Sequence, residues 1–138
     1  MTAVAVDLDG ALGDTSRLWQ DWLEDAGRRA RVDVTALDDE LPNWRQLLQR
    51  FAEERAPVYL RPDAEVSAAL RRLHGSGTRI GVFTKAPEEL ARIALAQLGA
   101  ARRVELLETG DDALEKLLLQ LGADAHVVRT RAELVGLR

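Results

Sequence analysis

The sequence predicts a Rossmann-like three-layer α/β/α fold, in which a parallel sheet carries helices on both faces and a small helical insertion follows the first strand. Three observations point there. Residues 2–8, TAVAVDL, form a short apolar run ending in acids, as expected of a buried parallel strand. From residue 63 onward, strand-length apolar runs alternate with segments of helical period, which predicts a parallel sheet covered on both sides. Between these regions lie all three tryptophans, in segments whose apolar spacing is helical throughout.

The elements follow in order. After strand 2–8, Gly10 and Gly13 mark a turn. Residues 16–29 place Leu18, Trp19, Trp22, Leu23 and Ala26 on one helical face, and residues 43–55 do the same with Trp44, Leu47, Leu48 and Phe51. Pro42, Pro57 and Pro62 punctuate this stretch. A helix from Asp63 to His74 turns Val66, Ala69, Leu70 and Leu73 inward and ends at Gly75 and Gly77. The second strand is 79–83, RIGVF. The next helix, 87–98, starts at Pro87 and stops at Gly99, a favoured arrangement. A third strand over 103–107 (RVELL), a helix over 111–121 with four inward leucines, and a fourth strand over 126–128 (HVV) follow. Thr130 with Glu133 reads as a capping box for a last short helix. Residues 1–14 and 61–138 thus form the core, and 15–60 the insertion. In such sheets ligands bind beyond the carboxyl ends of the strands. That edge is expected to collect Asp7, Asp9, Thr84, Lys85, Glu108 and Thr130.

Composition narrows the function. A chain of 138 residues suits one domain with its own core, and 46% apolar residues argue against disorder. No apolar run approaches the roughly 20 residues needed to span a bilayer, and the first apolar run is broken by Asp7 and Asp9. A soluble, cytoplasmic protein is expected, with no membrane partner. The net charge of −4 gives no basic face for nucleic acid. The absence of cysteine excludes disulfides and thiolate metal sites, and His74 and His126 lack metal-ligand spacing.

The chemistry gathers at VAVDLDGALGD. Two carboxylates two residues apart at a strand end, Asp7 and Asp9, can share a Mg²⁺ ion and a phosphate, one as nucleophile and the other exchanging a proton. Gly10 lets the backbone turn closely around a phosphate. This segment closely resembles the first motif of the haloacid-dehalogenase (HAD) superfamily, an apolar strand followed by Asp-x-Asp-Gly. Here Ala11 follows the glycine, where the family often has Thr or Val. IGVFT, ending at Thr84, is similar to the second motif, whose hydroxyl orients the phosphoryl group. The resemblance follows the order of elements over nearly the whole chain. It implies Asp7 as nucleophile, Asp9 as acid/base, Gly10 and Thr84 at the phosphate, and Mg²⁺ held by Asp7 and Asp9. It also implies that residues 15–60 are a reduced helical cap.

Two motifs depart from the pattern. The third requires a lysine, and the chain has only Lys85 and Lys116. Counting back from LLLQLGA, the matching position falls near Glu108, of the wrong sign. Lys116 shares a helix face with Asp112 and Gln120, as a surface lysine would. Lys85 follows Thr84 at the active edge, where it is either a charge stabiliser or a loop lysine. The fourth motif should end in Gly-Asp, but HVVRTRAEL places Arg129 and Thr130 there, so Mg²⁺ would be held weakly or not at all. Arg129 either pairs with phosphate in place of the cation or closes the site on Asp7 or Asp9. The leading expectation is a hydrolase of a small phosphate monoester acting as a monomer or homodimer. The alternative is a degenerate domain of the same fold that binds a ligand or protein. A phospho-acceptor receiver domain is disfavoured by layout, since its phosphorylated Asp lies on a later strand. Trp19, Trp22 and Trp44 line either a substrate pocket or a core.

Overall fold

The computed structural model describes residues 2–137. Four strands form one parallel sheet: β1 (Ala3–Asp7), β2 (Arg79–Thr84), β3 (Leu106–Thr109) and β4 (His126–Val128), in the order β3-β2-β1-β4. The chain runs outward from β1 through β2 to β3 and then returns to the other side of β1. The order therefore reverses at β1, the position where open sheets of this kind bind ligands.

The sheet has two apolar faces because successive strand residues point to opposite sides. Val4, Val6, Ile80, Val82 and Val128 pack against helices α4 (Ala64–Gly75), α5 (Glu88–Gln97) and α7 (Arg131–Gly136). Ala3, Ala5 and Phe83 pack against α6 (Ala113–Leu121) through Ala113, Leu117 and Leu121. These helices on both faces make the three layers. Gly81, on the same face, is small for a reason. A Cβ on Gly81 would lie 2.6 Å from a methyl of Leu117 and 2.9 Å from one of Leu121. Gly81→Ala is expected to cost about 1–3 kcal/mol by overpacking, read as a lower Tm with the far-ultraviolet spectrum unchanged.

Between β1 and β2 the chain forms helices α1 (Ser16–Ala30), α2 (Leu37–Glu40) and α3 (Trp44–Tyr59). Their apolar faces make a separate core of Leu18, Trp22, Ala26, Trp44, Leu48 and Ala52, closed by Ala86, just before α5, and by Leu90 in its first turn. The three indole ring centroids lie within 5.6 to 6.0 Å of one another, with Trp19 and Trp22 stacked and Trp44 tilted against both. Trp22 and Trp44 are buried, and Trp44 donates its indole N–H to Asp38 at 2.8 Å. Arg45 pairs with Glu89 of α5 at 2.9 Å, so this helical layer is tied to the sheet's own helices by charge as well as packing. The tryptophans are core residues.

Two elements differ from the sequence reading by more than two residues at a boundary. The third strand lies at Leu106–Thr109 rather than 103–107, because residues 101–103 form a tight turn closing α5. The pairing Gly81 to Leu106 then sets where the strand begins. Helix α3 runs through Pro57 to Tyr59 instead of stopping at 55. A proline so near the end removes one hydrogen bond, and the carbonyl it leaves free belongs to exposed Glu53, where water can reach it. The short helix α2 and the turn over Val34–Ala36 were not anticipated; Asp33 caps that turn through the Thr35 N–H at 2.9 Å. Thr130 caps the last helix as expected, its hydroxyl accepting from the Glu133 N–H at 3.1 Å, while the Glu133 carboxylate takes the Thr130 hydroxyl proton at 3.1 Å instead of the backbone N–H that would complete a capping box.

No helix among the described residues is long and apolar enough to cross a membrane.

Candidate active site

The sheet register builds the site. Asp7 pairs with Phe83, Phe83 with Glu108, and Val6 with Val128, so Arg129 comes next beside Asp7. Glu108, Phe83, Asp7 and Arg129 thus form one cross-strand row at the carboxyl edge, on the face covered by α6. Opposite charges in neighbouring strands of one row come within reach of each other, and one guanidinium nitrogen of Arg129 lies 3.6 Å from Asp7 Oδ2. This is an ion pair, too long for a hydrogen bond. The Arg129 guanidinium also sits over the Phe83 ring, 5.4 Å from its centroid. The Arg129 side chain remains 58% exposed and that of Asp7 20%. The pair is therefore open to the cleft and not sealed beneath it.

After β1 the backbone turns sharply over Leu8–Leu12. Gly10 has φ +119°, and a Cβ there would lie 2.5 Å from the carbonyl oxygen of Arg129. The turn therefore rests directly on the backbone that carries Arg129. Its amides also serve the acids: the Asp9 N–H donates to Asp7 Oδ1 at 3.2 Å.

The two carboxylates are in different situations. Asp9 is held at both carboxylate oxygens. Its Oδ1 accepts from the Thr15 N–H at 2.7 Å and the Thr15 hydroxyl at 2.8 Å, and its Oδ2 accepts from the Thr84 hydroxyl at 2.8 Å. Thr84 in turn accepts from the Ala86 N–H at 3.1 Å, so its one proton is committed to Asp9. Thr15 and Thr84 are both buried. Asp7 keeps free lone pairs facing the cleft. Burial holds its carboxyl above the ordinary value of 3.8, with the Asp9 charge adding to the rise; the Asp9 N–H and Arg129 act in the opposite direction.

The cleft has a volume of about 460 Å³. It is lined by Asp7, Asp9, Thr84, Lys85 and Arg129, by Gly110 and Asp111 of the turn before α6, and by Leu114 and Glu115 in the first turn of α6. No residue of 15–60 lines it. Two edge residues expected there are elsewhere. Glu108 turns toward α6, where it accepts from Gln120 at 2.7 Å and lies 3.6 Å from the Lys116 ammonium. Thr130 is occupied as the cap of α7. Lys116 donates to the Thr109 carbonyl at 2.9 Å and pairs with Asp112 at 3.3 Å, so its charge is spent on its own loop. Lys85 is exposed at the rim.

Sequence reasoning missed Thr15, which supplies two of the three hydrogen bonds to Asp9. The signal was present but ambiguous. A threonine before a helix is ordinarily a cap, yet this one makes no capping bond and faces Asp9. Leu114 and Glu115 were missed because their helix looks like ordinary amphipathic cover for the sheet.

The donor set does not suit Mg²⁺. That ion requires near-octahedral oxygen ligation, usually including one or two carboxylates. Both Asp9 carboxylate oxygens already accept hydrogen bonds, and a guanidinium stands beside the free oxygen of Asp7. Among the described residues no third Asp, Glu or His joins them in a metal-binding group.

A scan against protein-family models finds no match, and a search of curated proteins finds no relative. Solved structures do resemble the chain. A provisionally assigned beta-phosphoglucomutase from Thermotoga maritima aligns with TM-score 0.60 and 20% identity over 92% of this chain and 75% of its own. A haloacid dehalogenase-like family hydrolase from Streptococcus pneumoniae gives TM-score 0.60 and 15% identity over 93% and 74%. A HAD phosphatase from Thermococcus onnurineus gives 0.55 and 17% over 97% and 96%. At these identities the likeness concerns architecture: the chain has the haloacid-dehalogenase-like fold expected from its first motif.

Proposed function

With that fold as premise, we propose that the chain is a cytoplasmic hydrolase of a small phosphate monoester, with Asp7 as its nucleophile. One observation carries the reading. Asp7 stands at the reversal point of the sheet with lone pairs open to the cleft, while its neighbour Asp9 is locked in place by two buried threonines. A carboxylate oxygen of Asp7 attacks phosphorus, and the ester P–O bond breaks with its electron pair on the leaving oxygen, which takes up a proton. Water then attacks the same phosphorus, releasing phosphate and restoring the carboxylate. Arg129 and Lys85 supply the positive charge that lets a phosphate dianion approach Asp7. Asp9 is the acid/base on this reading. Its two oxygens accept three hydrogen bonds, which leaves one lone pair, on Oδ2, for proton exchange. Residues 15–60 form a reduced cap that lies beside the cleft, which leaves room for leaving groups of varied size.

A second reading has its own support: a domain that binds an anion or a protein without turnover. Among the described residues no lysine ammonium pairs with Asp7, and the Lys116 charge is used elsewhere. Hydrolysis of an aryl phosphate by the purified protein, followed by a panel of natural phosphates, separates the two. Turnover that disappears in Asp7→Asn supports the hydrolase. No turnover above the Asp7→Asn background across the panel supports the binder.

A further inference from the structure

The misfit between this site and a divalent cation has a specific cause in the row that places Arg129 beside Asp7. We propose that the Arg129 guanidinium is the resident counter-ion of the cleft, and that the cleft takes its anionic ligand without a divalent metal.

Three features support this. The first is position. Register puts Arg129 beside Asp7, and the close approach of Gly10 to the Arg129 carbonyl anchors the backbone that carries it. The charge thus sits one residue beyond β4, on backbone that the turn at Gly10 presses against. The second is fit. The guanidinium rests over Phe83 and meets Asp7 at 3.6 Å, longer than a hydrogen bond, so its N–H groups keep donors for an incoming anion. A planar guanidinium can engage two oxygens of a phosphate or carboxylate at once. The third is competition. A divalent cation bound at Asp7 would meet the Arg129 charge at close range, with neither Asp9 carboxylate oxygen free of a hydrogen bond to help it. Asp111 and Glu115 also line the cleft but do not complete a metal-binding group with Asp7.

The inference concerns the same cleft as the hydrolase reading, but it is tested by metal binding, so either can fail alone. The probe is Mn²⁺, followed by the electron paramagnetic resonance of the free ion in the presence of the full chain. Wild type is expected to show no saturable site that depends on Asp7. Arg129→Asp removes the counter-ion and adds a ligand, and is expected to bind Mn²⁺ at least about tenfold tighter than wild type. Combining it with Asp7→Asn should abolish the gain. Saturable Mn²⁺ binding by wild type that is lost in Asp7→Asn would overturn the proposal. So would a folded Arg129→Asp that gains nothing, since the guanidinium would then not be standing in the cation's place. Should Arg129→Asp fail to fold, the comparison of wild type with Asp7→Asn decides alone. Where turnover is detected, it should persist in the presence of a chelator and fall in Arg129→Ala without rescue by Mg²⁺.

Discussion

Gly10→Ala is expected to lower stability by about 3 kcal/mol or more, the sum of an unfavourable backbone conformation and a steric clash. The φ of +119° is one that residues with a Cβ rarely adopt. The added methyl would meet the Arg129 carbonyl oxygen at 2.5 Å, and that oxygen belongs to backbone, not to a side chain that can swing aside. Either the turn over Leu8–Leu12 or the segment after β4 must move. Both carry the site, so the damage should also appear locally, as weakened ligand binding in conditions where the variant remains folded. Thermal unfolding of the variant beside wild type measures the first effect, and anion binding well below the Tm measures the second. A variant that melts within a degree or so of wild type would show that the two segments do not press on each other.

Asp7→Asn should separate activity from stability. On the hydrolase reading it removes the nucleophile, and turnover should fall by about a thousandfold or more. Stability should move the other way at neutral pH. Burial, joined by the Asp9 charge, raises the folded-state pKa of Asp7 above 3.8, so between 3.8 and the raised value the folded state binds more protons than the unfolded chain. Stability contributed by this group therefore falls as pH rises through that window and stays lower above it. Asparagine carries no charge and avoids the cost. The variant should melt above wild type at neutral pH, and the difference should shrink as pH falls toward 3.8. A variant that melts lower at neutral pH would mean that Asp7 is held for the fold, through Arg129, more than for chemistry.

The contrast between Asp7 and Asp63 shows that the setting of an aspartate decides its effect. Asp63 caps α4 through the Val66 N–H at 3.0 Å and takes a two-point contact from Arg131 of α7 at 3.1 and 3.3 Å. The capping bond, joined by Arg131, holds its pKa below the ordinary value, so it contributes stability at neutral pH that is lost in acid. One carboxylate favours the fold by being charged; the other is kept in the cleft at a cost to it. Such costs collect at functional sites.

What the sequence by itself determined were the features encoded by local period and by residues adjacent in the chain. The apolar strand ending in Asp7, the alternation of helix and strand after residue 63, the cap at Thr130 and the placing of Asp7 and Asp9 at the sheet edge all follow from spacing along one segment. The departure at Arg129 was legible for the same reason, because it sits in a motif whose neighbours are contiguous. Tertiary structure alone decided which partners meet. Whether Arg129 reaches Asp7 depends on the pairing of β4 with β1, more than a hundred residues apart in the chain. That Thr15 and Thr84 hold the same carboxylate depends on the fold of the turn after β1 and on the register of β2. That Glu108 turns to Lys116 and Gln120 follows from where β3 begins, which a tight turn over residues 101–103 sets. Register is a property of two strands and their packing, so no single stretch of residues can specify it. In this chain that register places a guanidinium beside Asp7.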